Sequence, residues 1–490
     1  MGALNGSKTR LPQALIIVLG SLLCIGVSFQ LCSPGASVLS TAWQQATGVT
    51  AAAAATPAAW QAASSCKIYI LDLSAEVAPA IGIPQCDIND PEVWPLNEPG
   101  ELGWSLQRME VMPHMHYQYA GLWWLTQSLR NTPEVLTDNI EEACLVWVDS
   151  YCYNQWFIIQ RGLALRKLEG YPRSKVDVRA SYRKALDHVT ASPRFQRHQG
   201  RDFVFHLPMR DTRPGGPFLN LCSTMLLSHT LVAEHSNSCR QKRPKVPLRE
   251  TQILPYCTVA GVDLSVPIVG SSRPTFLYMQ ASCGKDERKN CGKLMRYRFV
   301  QAFNNSDPDV EVKCANMPVK QPKSYVEVQR EMRQSTFCLL PPGDTSSSNR
   351  LTEVILAGCI PVFIGHPWHE MPFNHGEVDY ASMSVFLNIT NASWLGTQAC
   401  VTNLRIWQQM ADVGWATAAV PDMQAALAYL RAMPREAVQR RQAALERERP
   451  KLYYGPAPGS RTSALADIVF TNLLDYGHRV AAGELNVTAS

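Results

Sequence analysis

The sequence predicts an α/β protein of two similar lobes, preceded by an apolar N-terminal segment. Short apolar runs rich in β-branched and aromatic residues alternate with helical stretches, which is typical of parallel sheets covered by helices. One run, IPVFI at 360–364, is apolar at every position, as expected for a strand buried on both faces. A chain of 490 residues with 46% apolar and 18% charged residues is too long for one ordinary domain and can bury more than one core.

The charge balance argues against a nucleic-acid binder. The chain has 46 Lys and Arg against 41 Asp and Glu, a net charge of +5, and part of that excess lies within 434–451. A protein that follows a phosphate backbone needs positive charge spread along a groove. We therefore expect no nucleic acid among its partners.

The N-terminal residues predict insertion into a membrane. Lys8 and Arg10 precede an apolar run at 11–32, and no basic residue follows until Lys67. By the positive-inside rule residues 1–10 stay in the cytosol, and the run approaches the roughly 20 residues that a spanning helix needs. We expect 11–32 to be an uncleaved transmembrane signal-anchor, with a cleaved signal peptide as the alternative. Either way the rest of the chain enters the secretory lumen.

The exported part begins with a predicted stem at 33–65, which is rich in Ala and Ser and has no charged residue. Most of the 15 cysteines lie beyond the stem and show no zinc-binding spacing, which predicts structural disulfides in an oxidising compartment. An odd number of cysteines in the exported part leaves at least one thiol free. Sequons predict N-glycosylation at Asn304, Asn388, Asn391 and Asn486.

Beyond Cys66 the pattern predicts an N-terminal lobe at 66–250, a C-terminal lobe at 251–425 and a helical tail at 426–490. The polar, Pro-bearing stretch at 236–251 separates the lobes. Strands are expected at Lys67–Leu73, Cys144–Val148, Asp202–Leu207, Thr275–Met279, Val310–Cys314, Thr336–Leu340, Ile360–Ile364 and Ser384–Leu387. Helices are expected at Tyr117–Leu129, Tyr325–Arg333, Asn349–Ala357 and Met423–Leu430.

The segment 335–373 predicts a strand–turn–helix–strand unit in which the turn before the helix is polar. The strand TFCLL runs into a polar turn at 343–348, and Gly358 ends the helix that follows. In open α/β sheets ligands bind beyond the carboxyl ends of the strands, and the amides at a helix N-terminus suit phosphate. Arg350 can reach a diphosphate, and Glu353, on the same helical face, can accept hydrogen bonds from ribose hydroxyls. The unit therefore suits a nucleotide.

The same residues also have a purely structural interpretation. The serines at 346–348 can simply cap the helix, and Arg350 with Glu353 can form a solvated ion pair. Spacing alone leaves both interpretations open.

A long motif runs through this segment: Phe337, Cys338, Leu339, Pro341, Gly343, Ser348, Arg350, Leu351, Glu353, Ile355, Gly358, Cys359, Ile360, Pro361 and Val362. Shorter matches in consistent order are KIY at 67–69, EEA at 141–143, GRDF at 200–203 and Arg273. On these residues the chain resembles the exostosin-like family of glycosyltransferases, over about residues 66–430.

The resemblance implies a GT-B fold, in which two Rossmann-like lobes face each other across a cleft. It implies a nucleotide-sugar donor, with UDP-sugars expected, on the C-terminal lobe, and a glycan or glycoprotein acceptor mainly on the N-terminal lobe. The donor-binding residues would be Arg273, Gly343, Ser347, Ser348, Arg350 and Glu353. Arg273 is equally well explained as a surface residue beside a strand. The resemblance also implies a single-pass type II protein of the Golgi membrane.

Transfer with inversion, as the family implies, needs a base for the acceptor's hydroxyl proton. The candidates are Asp149, Asp202 and His206, each with a structural alternative. Where relatives have Val-Pro this chain has Val148-Asp149, the family's Asp is absent after His206, and Pro342 stands where many relatives have Arg. These departures keep open a catalytically silent protein that binds a glycan or stabilises a partner.

No metal or cofactor is expected beyond the nucleotide sugar. Asp307 and Asp309 have the Asp-x-Asp form of metal-dependent glycosyltransferases but lie in a polar surface loop. His114 and His116 are two positions apart and would face different sides of a helix, without a third ligand nearby. Assembly into a homo- or hetero-oligomer stays open.

Overall fold

The computed structural model describes most of the chain after residue 65. The described residues are 66–87, 119–164, 175–207, 224–228, 251–258, 262–285, 291–303, 307–316, 325–341, 348–364, 371–374, 376–391, 417–456 and 460–484. Within these ranges no helix is both long and apolar enough to cross a membrane. The run at 11–32, which the sequence predicts to be the anchor, lies outside them, as do the cytosolic tail and the stem.

The strands of the described residues form two entirely parallel sheets. The first sheet has the order β1-β2-β3-β4-β5, and the second has the order β11-β10-β9-β8-β6-β7. The strands are β1 Ile68–Asp72, β2 Leu145–Asp149, β3 Phe203–Leu207, β4 Met225–Ser228, β5 Thr251–Ile253, β6 Thr275–Ala281, β7 Val310–Cys314, β8 Ser335–Leu340, β9 Ile360–Ile364, β10 Val385–Ile389 and β11 Thr417–Val420. The predicted α/β class is confirmed, and two parallel sheets fit a GT-B-like arrangement.

Helices connect and cover the strands. Within the described residues they are α1 Ala78–Ile81, α2 Gly121–Arg130, α3 Tyr151–Ala164, α4 Val178–Ala191, α5 Pro193–His198, α6 Cys291–Phe303, α7 Tyr325–Arg333, α8 Asn349–Leu356, α9 Tyr380–Met383, α10 Met423–Arg431, α11 Arg435–Glu448 and α12 Ala464–Ala481. A π-helical turn, Leu73–Val77, follows β1, and short 3-10 turns occur at Pro133–Val135 and Arg449–Leu452.

The boundary between the sheets differs from the sequence-based expectation. Strand β5 lies after residue 250, yet it pairs with β4, so the first sheet extends to Ile253. A strand of three residues has too little alternation to be recognised from sequence. The expected tail is helical, but its last helix, α12, returns to pack on the first sheet.

Different helices pack on the two faces of the first sheet. In β2, Leu145 and Trp147 point to one face, while Val146 and Val148 point to the other, following the two-residue period of a strand. The Trp147 face packs against α2 and α12: the indole N–H donates to Thr126 Oγ1 at 3.0 Å, and Phe470 lies 5.8 Å from it, centroid to centroid. The opposite face packs against α3, α4 and the π-helical turn.

Disulfides fix both sheets, as the sequence predicts. Cys66–Cys144 links the chain before β1 to the chain before β2, and Cys86–Cys152 links the segment after α1 to α3. In the second sheet, Cys283–Cys314 and Cys338–Cys359 join neighbouring strands or their ends. Among the described residues, Cys257 is a free and buried thiol.

Candidate functional site

The winding of the second sheet reverses between β6 and β8. From β6 the chain goes to β7 on one side, and then returns to place β8 on the other side of β6. In open α/β sheets the crevice beyond the carboxyl ends of the strands at such a switch point is where ligands bind. The carboxyl end of β8 and the start of helix α8 therefore stand at the expected binding crevice.

Ser348 begins α8 as its N-cap. The residue is extended, and its Oγ accepts the Arg350 backbone N–H at 3.3 Å. The capping interpretation of Ser348 therefore holds, and it fixes the direction in which the first turn of α8 presents its remaining amides. Gly343 and Ser347 lie outside the described residues.

Arg350 and Glu353 form an ion pair on the first turn of α8. Arg350 Nη1 lies 2.5 Å from Glu353 Oε2, and the Asn349 side-chain amide donates to Glu353 Oε1 at 3.3 Å. The Glu353 side chain is completely buried, whereas 24% of the Arg350 side chain is exposed. The alternative of a solvated pair does not fit a carboxylate with no exposed surface. Glu353 is instead a buried carboxylate in ion-pair contact with the partly exposed Arg350 guanidinium.

Strand β6 supplies a polar neighbour to this pair. The Tyr278 hydroxyl lies 2.9 Å from Glu331 Oε2 and 3.0 Å from Gln280 Oε1. Burial raises the pKa of the Tyr278 hydroxyl far above its ordinary value, and the positive charge of Arg350 opposes this rise. Tyr278 is therefore a neutral hydrogen-bonding group beside Arg350.

Arg273 does not join this group. It precedes β6, so it lies at the amino edge of the sheet, where its Nη1 donates to the Ser335 carbonyl at 2.7 Å. Its Nη2 lies 3.2 Å from the position that a Cβ on Gly358 would occupy, beyond the C-terminus of α8. Burial, together with the nearby Arg449, lowers the pKa of Arg273 to about 10, while Glu446 acts in the opposite direction. The predicted role as a second diphosphate partner does not fit this placement, because the residue lies at the opposite end of both β8 and α8 from Arg350.

The carboxyl edge of the first sheet carries a pair of aspartates. Asp72 ends β1 and Asp149 ends β2, and the strand register places them directly opposite each other. Arg130, the last residue of α2, bridges them: its Nη2 lies 3.2 Å from Asp149 Oδ2 and 3.6 Å from Asp72 Oδ2. The pKa of Asp149 is raised to about 6, chiefly by burial. Arg130 opposes this rise, Asp72 adds to it, and the Tyr151 N–H opposes it.

His206 lies next to this pair in the first sheet. The register between β2 and β3 places Trp147 opposite Val204, and its continuation places Asp149 opposite His206 on the same face. The imidazole is buried, and the His206 carbonyl accepts a 3.4 Å hydrogen bond from the Asn154 side-chain amide. Two of the three base candidates, Asp149 and His206, are therefore at the carboxyl ends of neighbouring strands.

Asp202 is placed elsewhere. It precedes β3 at the amino edge of the sheet, and its Oδ2 accepts from Arg194 Nε at 2.8 Å. Both side chains are buried, and the other nitrogens of Arg194 donate to the carbonyls of Ile140 and Ala143. Burial raises the pKa of Asp202, and Arg194 opposes this rise. The base role predicted for Asp202 does not fit, because its carboxylate is enclosed in a structural ion pair far from the carboxyl edge.

Asp72 and Arg130 are site residues that the sequence analysis missed. The signal for Asp72 was present, since IYILD and LVWVD are both apolar runs that end in Asp. Arg130 carries no such signal, because only the packing of α2 brings its side chain to the strand ends.

The other singled-out residues fall outside these two groups. Asp307 and Asp309 accept hydrogen bonds from Arg431, whose guanidinium lies 4.4 Å above the Phe276 ring. In the described ranges no group of three or more His, Cys, Asp or Glu could hold a metal ion. Asn388 and Asn391 are exposed, in and just after β10. The remaining singled-out residues lie outside the described residues: Asn304, Asn486, His114 and His116.

Comparison with known proteins gives one family match and several short matches. The sequence model described as the Exostosin GT47 domain matches residues 62–398. In Arabidopsis thaliana, a protein named probable xyloglucan galactosyltransferase GT14 is 43% identical over 72 residues, which is 13% of this chain and 12% of that protein. The probable xyloglucan galactosyltransferase GT19 is 40% identical over 67 residues, 12% of this chain and 14% of that protein. The probable arabinosyltransferase ARAD1 is 31% identical over 120 residues, 24% of this chain and 25% of that protein. The matches thus span a quarter or less of the length of each of these relatives.

Proposed function

The chain belongs to the exostosin GT47 family of glycosyltransferases, and from this premise we propose that it transfers a sugar from a UDP-sugar to a hydroxyl of a glycan or glycoprotein. Transfer inverts the anomeric carbon. The names of the similar proteins, galactosyltransferases and an arabinosyltransferase, make UDP-galactose and UDP-arabinose the first donors to test.

One observation carries the donor side of this proposal. Arg350 stands on the first turn of α8, at the switch point of the second sheet, with its guanidinium in ion-pair contact with the buried Glu353. A cation fixed in this way, together with the helix N-terminus, suits a diphosphate, because charge-assisted hydrogen bonds need little reorganisation when the donors are already oriented.

The two charged residues have different roles in this proposal. Arg350 binds the diphosphate and stabilises the negative charge that develops as UDP leaves. Glu353 orients Arg350. Its carboxylate is buried, so it can accept the predicted hydrogen bond from a ribose hydroxyl only if donor binding exposes it. Ser348, as the N-cap, keeps the first turn of α8 in place.

UDP binding by the purified full chain tests the donor side. We expect Arg350→Gln to weaken UDP binding by roughly 10- to 100-fold, the loss of about 1.5–3 kcal/mol that a charged hydrogen bond contributes. Glu353→Gln should weaken it less, because the guanidinium remains but loses its anchor. Arg330→Gln is the matched control, since Arg330 is an exposed arginine on the adjacent helix α7, and it should bind UDP like the unchanged protein. Equal affinities in all four proteins would contradict the proposed site.

A donor panel tests the reaction itself. Release of UDP from UDP-galactose, UDP-arabinose and other UDP-sugars should depend on an added acceptor such as a xyloglucan oligosaccharide, and ¹H NMR of the product should show the inverted anomer. We also propose that no metal is required, so transfer should continue in EDTA. If no UDP-sugar is consumed while glycans bind, the chain is a catalytically silent member of the family.

We further propose a type II topology in the Golgi membrane, with residues 11–32 as the anchor and the rest in the lumen. The protein should then resist extraction at alkaline pH, co-localise with Golgi membranes, and shift in mass when N-glycans are removed. The sequons with described positions, Asn388 and Asn391, are exposed, as glycan attachment requires.

A further inference from the structure

We infer that Asp149, bridged to Asp72 by Arg130 at the carboxyl edge of the first sheet, accepts the proton of the acceptor hydroxyl during sugar transfer. This inference rests on the proposed function and names a residue of the acceptor side. Asp149 is a catalytic residue in it, while Asp72 and Arg130 are positioning residues that set its charge state.

The position of Asp149 is the first reason. Asp149 is the last residue of β2, so it lies at the edge of the sheet where parallel strands present their ligand-binding groups. Asp202 lies at the opposite edge and is enclosed with Arg194, and the His206 side chain is buried. Asp149 remains partly open, with 13% of its side chain exposed, as are Asp72 at 29% and Arg130 at 44%.

The geometry around the two carboxylates is the second reason. In each aspartate, Oδ1 accepts backbone N–H groups: Asp72 from Ser74 and Ala75 at 2.8 and 2.9 Å, and Asp149 from Tyr151 at 3.3 Å. In each, Oδ2 faces the Arg130 guanidinium. One guanidinium is thus shared by two carboxylates, and among the described residues their combined negative charge is only partly compensated. A carboxylate in such a setting is more basic than a fully paired one.

The charged and titratable groups around Asp149 agree with this role. Arg130 faces it from α2, Asp72 from β1, and Tyr151 from the start of α3, while His206 occupies the neighbouring position in β3. Burial raises the pKa of Asp149 to about 6. Near neutral pH the group is therefore ionised, yet more basic than an ordinary aspartate, as general-base catalysis requires.

The step is a single displacement. The acceptor oxygen forms a bond to the anomeric carbon, and its O–H bond breaks with the proton passing to Asp149. The bond from that carbon to the diphosphate oxygen breaks at the same time, and its electron pair leaves on UDP, beside Arg350.

The decisive variant is Asp149→Asn, which keeps the shape of the side chain and removes the base. We expect kcat for transfer to fall by roughly 10²- to 10⁴-fold, while the affinity for UDP stays within twofold. Asp187→Asn is the matched control, because Asp187 is an exposed aspartate on α4 that pairs along its own helix with Arg183, and the activity of this variant should be unchanged. Unimpaired transfer by Asp149→Asn would overturn the inference while leaving the proposed function intact. Absence of transfer by the unchanged protein from every UDP-sugar would overturn both.

Two further variants leave Asp149 in place and separate catalysis from folding. The acid limb of kcat/KM should fall near pH 6 in the unchanged protein. Asp72→Asn removes a like charge, so this limb should move to lower pH, whereas Arg130→Gln removes the compensating charge, so it should move to higher pH. A purely structural pair would lower activity at every pH without moving the limb, and that result would overturn the inference even if Asp149→Asn failed to fold.

Discussion

At the scale of residues, two arginines make similar ion pairs that differ in how far they are exposed to water. Arg194 and Arg197 lie on the same short helix, α5, and each pairs with a carboxylate. The Arg194–Asp202 pair is enclosed, with side-chain exposures of 7% and 2%, whereas the Arg197–Glu141 pair is more than half exposed on both sides. Removing one partner of a buried pair leaves an uncompensated charge, while water compensates an exposed one.

This contrast gives a prediction with an internal control. Arg194→Met should lower the free energy of unfolding by about 3–5 kcal/mol at pH 7, because it leaves Asp202 buried and unpaired. Arg197→Met should lower it by less than about 1 kcal/mol. Urea denaturation of both variants measures the difference. Similar losses would mean that the Asp202 carboxylate is more accessible to water than the structure shows.

Asp149 gives a second prediction at this scale, concerning stability and pH. Its pKa in the folded protein is about 6, above its ordinary value of 3.8, so the folded state holds this proton more tightly than the unfolded state. The contribution of the protonated Asp149 to the free energy of unfolding is fully present below pH 4 and is lost as pH rises through about 6. Asp149→Asn removes this dependence and should raise the free energy of unfolding at pH 7.5 by up to about 3 kcal/mol.

The measurement is the free energy of unfolding of both proteins at several pH values between 4 and 8. The two curves should approach each other at the acid end and diverge toward neutral pH, and Asp187→Asn should run parallel to the unchanged protein. A destabilised Asp149→Asn at neutral pH would mean that the Arg130 pair outweighs the cost of burial. If Asp149→Asn is more stable but no longer transfers the sugar, the variant shows the trade-off expected when a catalytic group lowers the stability of the folded protein.

At the scale of elements, the glycines that follow α8 and α1 differ in how closely their surroundings pack. Gly358 follows α8 with φ +73°, and a Cβ there would lie 2.6 Å from Ile268 Cγ1 and 3.2 Å from Arg273 Nη2. Gly82 follows α1 with a similar φ of +65°, but a Cβ there would meet no atom within 4 Å. The two glycines therefore share a backbone requirement and differ in packing.

Substitution of both glycines separates these two effects. Gly82→Ala should cost about 1 kcal/mol of unfolding free energy, the strain of a left-handed alanine. Gly358→Ala should cost a further 1–3 kcal/mol or so, because Ile268 and Arg273 have to move. Urea denaturation again supplies the values. Equal costs would show that the contact beyond α8 is loose enough to accept a methyl group.

The elements also show what a sequence can and cannot predict here. Strands β7 and β9 were predicted to the residue, because each carries a local signal: β7 alternates apolar and charged residues, and β9 is a continuous apolar run. Strands β4, β5 and β11 were missed, since each has at most four residues and becomes a strand only through pairing with a neighbour.

The same division holds for the candidate site. Arg350 and Glu353 were recognised because three residues along one helix bring them together. The Asp72–Arg130–Asp149 group depends on the register of two strands and on where α2 ends, which are properties of the packed sheet. Arg273 lies away from Arg350 because a residue before a parallel strand lies at the edge opposite the residues that follow the strand.

At the scale of the whole molecule, the last helix completes the first sheet. α12 is separated from β1 by nearly the full described chain, yet Phe470 packs on Trp147, and the Tyr476 hydroxyl donates to the Arg201 carbonyl at 2.8 Å. A Cβ on Gly477 would lie 2.8 Å from the sulfur of Cys66, which is disulfide-bonded to Cys144. The stability of the N-terminal sheet therefore depends on residues near the C-terminus of the chain.

This dependence predicts a reciprocal pattern of hydrogen exchange. Phe470→Ala removes a fully buried ring, a change that typically costs 3–5 kcal/mol, and it should raise amide exchange in β1 and β2 more than in β8 and β9. The matched variant is Phe363→Ala: this ring on β9 is equally buried and stacks on Phe386 at 4.8 Å, so its loss should raise exchange in β8 and β10 more than in β1 and β2. If either variant raises exchange equally in both sheets, the molecule opens as one cooperative unit and α12 is not a specific support of the first sheet.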